Sequence, residues 1–148
     1  MDSASDRARE AQRRAEQFRR VRDAHQSELA EDYVELIADL IGEMGEARVV
    51  DLAERLGVTK ATVNNAIQRL QRDGLVTSQP YRAIFLTDKG HALAIASRER
   101  HQVVRDVLLA LGVDADTAEA DAEGIEHHVS APTLAAFRKF LRKAQKAR

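Results

Sequence analysis

From Leu29 onward the apolar positions fall into a succession of distinct periods. Leu29, Tyr33, Leu36, Ile37 and Leu40 recur at helical spacing until Gly42 and Gly45 end the run, which predicts an amphipathic helix. In the next stretch, RVVDLAERLGVTKATVNNAIQRLQRDGLV, a short helix around Val50 to Leu56 stops at Gly57. A second starts after Thr59, a good N-cap, and buries Val63, Ala66, Ile67 and Leu70. Two helices joined by a tight glycine turn, with the small Ala53 where they cross, make a helix-turn-helix. After Gly74 the period shortens: LVTSQPYRAIFLT reads as two β-rich runs around a turn containing Pro80, a hairpin or wing.

Residues from Thr87 to about Leu111 predict a long helix, with Leu93, Ile95, Val103, Val104, Val107, Leu108 and Leu111 as its apolar positions and Gly112 as its end. Two shorter helices follow, roughly 114–128 and 132–143, the last closing in the basic FRKFLRKAQKAR. The fold class is therefore mainly α. A polar, Arg-rich extension is expected over 1–24, a winged helix-turn-helix domain over 25–90 and an all-helical domain over 91–148. The extension carries seven Arg and five acids but little to bury, so it is either a solvated tail or a basic arm that touches DNA phosphates.

Composition narrows the chemistry. The 148 residues are 44% hydrophobic, enough for a true core, and 24 acids against 23 bases rule out a uniformly basic surface. With no cysteine there is no thiolate ligand, so a metal would sit among oxygen and imidazole donors. No apolar run is long enough to span a membrane and the N-terminus is too charged for a signal peptide; the expected location is cytoplasmic, with no membrane partner.

Burial of Val63, Ile67 and Leu70 turns Lys60, Ala61, Asn64, Asn65 and Gln68 outward, side chains that suit base edges in a major groove. Thr59 and Thr62 at the helix start, Arg72, and Tyr81 and Arg82 on the wing are placed for the flanking backbone. A winged helix can instead serve protein contacts without any metal, and that alternative stays open. The second constellation is DAEGIEHHVS: on a helix Glu123, Glu126 and His127 share a face, while His128 points away. Six acids and no Lys or Arg lie between Val113 and Glu126, which is either a solvated acidic face or a cation site. Asp32 and Glu35 form another convergent pair on the first helix, and His101 is a further candidate. Neither HExxH, ExxH, a phosphate-binding glycine loop nor GxSxG occurs, so an enzyme is not expected.

Taken together, EDYVELI, the helix-turn-helix, YRAIFLTDKG, RERHQVV and LGVDADTAEADAEGIEHHVS resemble the DtxR/iron-dependent repressor family in its manganese-responsive branch, over roughly 29–140. The resemblance implies a homodimeric transcriptional repressor, with a winged helix-turn-helix domain followed by an all-helical metal-binding and dimerisation domain. It implies double-stranded operator DNA as partner and no small organic ligand. It puts the metal ligands on Asp32, Glu35, His101, Glu123, Glu126 and His127, holding Mn(II), two ions per subunit. Iron-responsive members carry a thioether at the position of Asp32 and a thiolate at that of Glu126; two carboxylates there favour the harder ion. A cation joining Asp32 and Glu35 to the other four would fix the DNA-binding half against the second half.

Overall fold

Helix α1 runs from Ala4 to Met44. Ser3 starts it with a capping box, accepting from the Asp6 backbone while Asp6 reaches back, and Gly45 ends it in the left-handed region at φ 84°. Nothing before Gly42 breaks a helix, and Gly42 itself lies inside α1, so the polar Arg-rich segment is continuous with the helix that enters the core. The computed structural model describes residues 3–147; Met1, Asp2 and Arg148, at the ends of the expected extension and helical domain, lie outside them. Residues 3–23 are exposed throughout, and Leu29, grouped with the core by periodicity, is still 54% exposed. The buried positions begin just after it, at Glu31, Tyr33, Val34, Ile37 and Leu40.

Helix α2 (Val49–Leu56) ends at Gly57, whose φ of 66° allows the tight turn into α3 (Lys60–Arg72). Thr59 caps α3, its hydroxyl accepting from the Thr62 backbone. Leu52, Ala53, Val63, Ile67 and Leu70 close one core with the apolar face of α1. The wing is small: β1 (Val76–Thr77) pairs antiparallel with β2 (Phe85–Leu86) in the register Val76↔Leu86 and Thr77↔Phe85. An isolated bridge between Ala47 and Ile84 ties it to the start of α2.

Helix α4 (Asp88–Ala110) begins against this hairpin. Thr87 caps it through the Gly90 backbone and donates its hydroxyl to the Gly74 carbonyl at 2.6 Å. Gly90 is buried so close to the hairpin that a Cβ there would stand 2.1 Å from the Leu75 carbonyl oxygen. From this anchor α4 runs along α1, and α5 (Ala115–Ile125) and α6 (Ala131–Lys146) pack on α4. The helix expected over 114–128 stops at Ile125; Glu126–His128 form a 3-10 turn instead. Among the described residues no helix is long and apolar enough to cross a membrane.

The contact at Gly90 yields a prediction. Gly90→Ala should lower stability by about 1–3 kcal/mol through overpacking against backbone, read as a reduced Tm in thermal unfolding. An unchanged Tm would mean that α4 does not press on the Leu75 backbone as described.

Candidate metal centre and nucleic-acid surface

Three elements converge beside the middle of α1. Ala118 and Ala122, both fully buried, let α5 lie close against α4, and the 3-10 turn carries Glu126 and His127 inward beneath it. Glu126 is 1% exposed, yet neither carboxylate oxygen has a hydrogen-bond partner. His101 Nδ1 of α4 lies 3.3 Å from one of those oxygens and His127 Nε2 lies 3.4 Å from the other. His127 Nε2 is also 3.1 Å from Asp32 Oδ1 of α1, and its other nitrogen, Nδ1, is 2.5 Å from Glu31 Oε2. His101 Nε2 reaches Glu119 at 2.8 Å, and its Nδ1 is 3.8 Å from Glu123. Glu35 accepts from the Ser97 hydroxyl at 3.1 Å.

The charges in this cluster do not balance by themselves. Burial pushes the Glu126 carboxyl up to about 7; His101 and His127 pull it down, while Glu35 and Glu123 push it further up. Glu35 is also raised, first by burial, with the Ser97 hydrogen bond opposing and the Glu123 and Asp39 charges adding. For His127, burial works against the charged ring but hydrogen bonds to Asp32 and Glu31 and the nearby Asp32 and Glu126 charges outweigh it, raising it to about 10. His101 rises in the same way, burial being overcome by the Glu119 hydrogen bond and the Glu126, Glu123 and Glu119 charges. Crowded carboxylates, two of them pushed toward their protonated forms and one of those buried without a hydrogen-bond donor, are suited to a divalent cation. A donor set of carboxylates and imidazoles, without sulfur, fits a hard or borderline ion.

All six residues singled out from sequence lie in or against this cluster, although Glu126 and His127 arrive on a 3-10 turn and not on the face of a continuous helix. His128 points outward, 42% exposed at its side chain and 3.6 Å from Glu28. Sequence reasoning missed three acids. Glu31 is 6% exposed and braced by Arg100 at 3.1 Å; Glu119 bonds His101; and Glu28 groups with Asp32 and His127. The available signals were the helical i−4 offsets of Glu28 from Asp32 and of Glu119 from Glu123, and Arg100 next to His101.

On the far side of α1, the outward face of α3 is open. Thr59, Lys60, Ala61, Thr62, Asn64, Asn65, Gln68 and Arg72 are all exposed, as are Tyr81 and Arg82 on the wing. Lys60, Asn64, Gln68, Tyr81 and Arg82, with Arg48 of the α2 N-cap, line a cleft of about 740 Å³ between α3 and the wing tip. Tyr81 holds a left-handed φ of 62° with its side chain fully in solvent. The surface thus offers amide, hydroxyl and cationic groups around one protruding helix.

Residues 25–84 match the family described as iron dependent repressor, N-terminal DNA binding domain, and residues 87–147 match iron dependent repressor, metal binding and dimerisation domain. The transcriptional regulator MntR of Escherichia coli O6:H1 is 57% identical over 128 residues, 86% of this chain and 83% of that protein. The HTH-type transcriptional regulator MntR of Bacillus subtilis is 41% identical over 100 residues, 68% of this chain and 70% of the relative. Among solved structures, the manganese regulator SloR superposes with a TM-score of 0.67 at 28% identity, covering 76% of this chain and 53% of its own. A manganese-dependent transcriptional repressor in complex with manganese gives 0.66 at 32% identity, covering 76% and 52%. The chain therefore spans about half the length of these two solved structures.

The buried carboxylate can be tested by its effect on stability. Glu126 holds its proton up to about pH 7 when folded but only to about 4.5 in an unfolded chain, so its contribution worsens as pH rises across that window and stays unfavourable above it. Glu126→Gln should therefore stabilise the cation-free protein at pH 8 by ~1–3 kcal/mol and leave it unchanged near pH 4. Saturating divalent cation should reverse the order, because only the wild type gains full binding energy. A Gln variant less stable than wild type in chelator at pH 8 would contradict this reading.

Proposed function

The chain belongs to the iron dependent repressor family, and from that premise we propose that it is a manganese-responsive transcriptional regulator that binds operator DNA as a homodimer. The observation that carries the metal half of this reading is Glu126, a carboxylate buried with both oxygens unpartnered between two imidazoles. In this reading Asp32, Glu35, His101, Glu123, Glu126 and His127 hold Mn(II). Two groupings support two ions per subunit: Asp32, Glu28 and His127 on one side, and His101, Glu119 and Glu123 on the other, with Glu126 between the rings. With no cysteine in the chain and only carboxylates and imidazoles in the cluster, the donor set favours Mn(II) over softer ions.

A divalent cation there supplies positive charge to the crowded carboxylates. The protein's own residues do the rest. Asp32 and Glu35 belong to the face of α1 turned toward α4 and the 3-10 turn, whereas Tyr33, Val34, Ile37 and Leu40 pack into the core shared with α2, α3 and the wing. Ser97 to Glu35, Arg98 to Asp39 and Arg100 to Glu31 set the seating of α1 on α4. Once the acids are neutralised, that seating is no longer opposed by like-charge repulsion, and the recognition helix α3 holds one orientation relative to the dimerisation half. Reduced motion lowers the entropic cost of placing two copies of α3 in successive major grooves, about 34 Å apart on a palindromic operator. Lys60, Ala61, Asn64, Asn65 and Gln68 would read bases, with Thr59, Thr62, Arg72, Tyr81 and Arg82 on the flanking backbone. Such a regulator works in the cytoplasm, where its operator lies, and carries out no catalysis.

Titrating the protein against its operator in Mn(II) and in chelator tests the reading. Affinity should rise at least tenfold with Mn(II), and by linkage operator DNA should tighten Mn(II) binding by the same factor; equal DNA affinity in both conditions would refute it. The exposed first half of α1 gives a separate expectation. Deleting residues 1–24 should weaken DNA binding and flatten its salt dependence if the arginines meet phosphates, and an unchanged slope would leave the segment as solvated helix.

A further inference from the structure

Glu31 is a buried acid that the metal-ligand reading leaves without a role. At 6% exposure its two oxygens are both engaged, Oε2 by His127 Nδ1 at 2.5 Å and Oε1 by Arg100 Nη1 at 3.1 Å. It meets the opposite nitrogen of the ring from Asp32 and Glu126, which both approach Nε2, at 3.1 and 3.4 Å. An imidazole that ligates a cation through one nitrogen must carry its proton on the other, and a carboxylate at that other nitrogen fixes which one. Glu31 is thus held away from the space between Nε2, Asp32 and Glu126. Nor is it free to swing there, because Arg100, only 25% exposed at its side chain, anchors its second oxygen.

We propose that Glu31, braced by Arg100, is a positioning residue that locks His127 with its proton on Nδ1 and its Nε2 lone pair turned to the cation. The assignment rests on the metal-binding reading above and adds to it an outer layer. Three elements contribute one member each: α4 gives Arg100, α1 gives Glu31 and the 3-10 turn gives His127. Helix α4 therefore supplies a brace at Arg100 and a ring at His101 from adjacent positions, one for each edge of the cluster. The arrangement also accounts for the buried Glu31 charge, which faces one cation and one N–H donor and so is not left unpaired. A carboxylate accepting the Nδ1 proton makes Nε2 a more basic donor, which raises affinity without touching the ion.

The experiment uses the full chain. Mn(II) titration calorimetry on wild type, Glu31→Ala and Glu31→Gln gives affinities, and the ring N–H resonances of His127 in the Zn(II)-loaded protein give the protonated nitrogen. Wild type should show a downfield Nδ1–H signal, and Glu31→Ala should lose that signal and bind Mn(II) roughly 10–100-fold more weakly. Glu31→Gln keeps the length and an acceptor oxygen, and covers the case in which the alanine variant does not fold: an intermediate loss, with the Nδ1–H signal shifted upfield, supports the lock. Wild-type affinity in either folded variant, or a His127 ring metallated through Nδ1 in wild type, overturns it. Failure of wild type to bind Mn(II) at all would instead overturn the metal-binding reading itself.

Discussion

A carboxylate driven into the interior with nothing to hydrogen-bond it is the constraint on which the rest of this structure turns. Burying an unpaired charge is costly, and proteins avoid it by protonating the group or by giving it a cation. Burial pushes the Glu126 carboxyl up to about 7, part of the way to the first solution, and it is surrounded by what the second requires. Two imidazoles, with Asp32, Glu35 and Glu123 nearby, would make a poor hydrogen-bonded core but a good shell of hard and borderline ligands. In the proposed mechanism, the unfavourable crowding of these acids without a cation is what would give the cluster its response to metal.

Helix α1 converts that local imbalance into a property of the DNA-binding surface. One face carries Glu31, Asp32 and Glu35 toward α4 and the 3-10 turn; the core residues of another face fix α2, α3 and the wing. A single rigid element with two differently loaded faces needs no chain of intermediate contacts to couple them. Polar links to α4 through Ser97, Arg98 and Arg100 already seat α1, so in the proposed mechanism a cation would act on two halves that are in contact. It would relieve the like-charge repulsion that works against that seating. Gly90 anchors the same seating from the other end, since only a residue without a side chain lets α4 begin so close to Leu75.

Much of this was legible from periodicity and residue type. The helix-turn-helix could be read because Val63, Ile67 and Leu70 leave the polar face of α3 no choice but outward, and the acids and histidines that cluster beside α1 could be singled out because their types fit one chemistry and their order resembles one family. Three features resisted for physical reasons. The Ala-, Arg- and Glu-rich start is compatible with a helix, but with no apolar face to pack it could not show whether it would run unbroken into the core helix, so the continuity of α1 stayed open. Helical spacing could not show that α5 gives way to a 3-10 turn at Glu126, a choice made by packing against α1 and α4. Burial of Glu31 depends on Arg100, a partner 69 residues away, and no local pattern separates it from the exposed acids around it.

The central claim, that neutralising the buried acids narrows the orientation of the recognition helices, can be measured without DNA. The chain has no cysteine, so Arg69→Cys on the exposed face of α3 offers a unique attachment point for a spin label. Pulsed electron resonance between the two labels of the homodimer then reports the distance distribution, with diamagnetic Zn(II) or Cd(II) standing in for Mn(II). The account predicts a broad distribution in chelator that narrows on metal binding, whereas Glu126→Gln, with one buried charge already removed, should be no broader than wild type in chelator and should narrow little further when metal is added. Distributions of equal width with and without metal would contradict it.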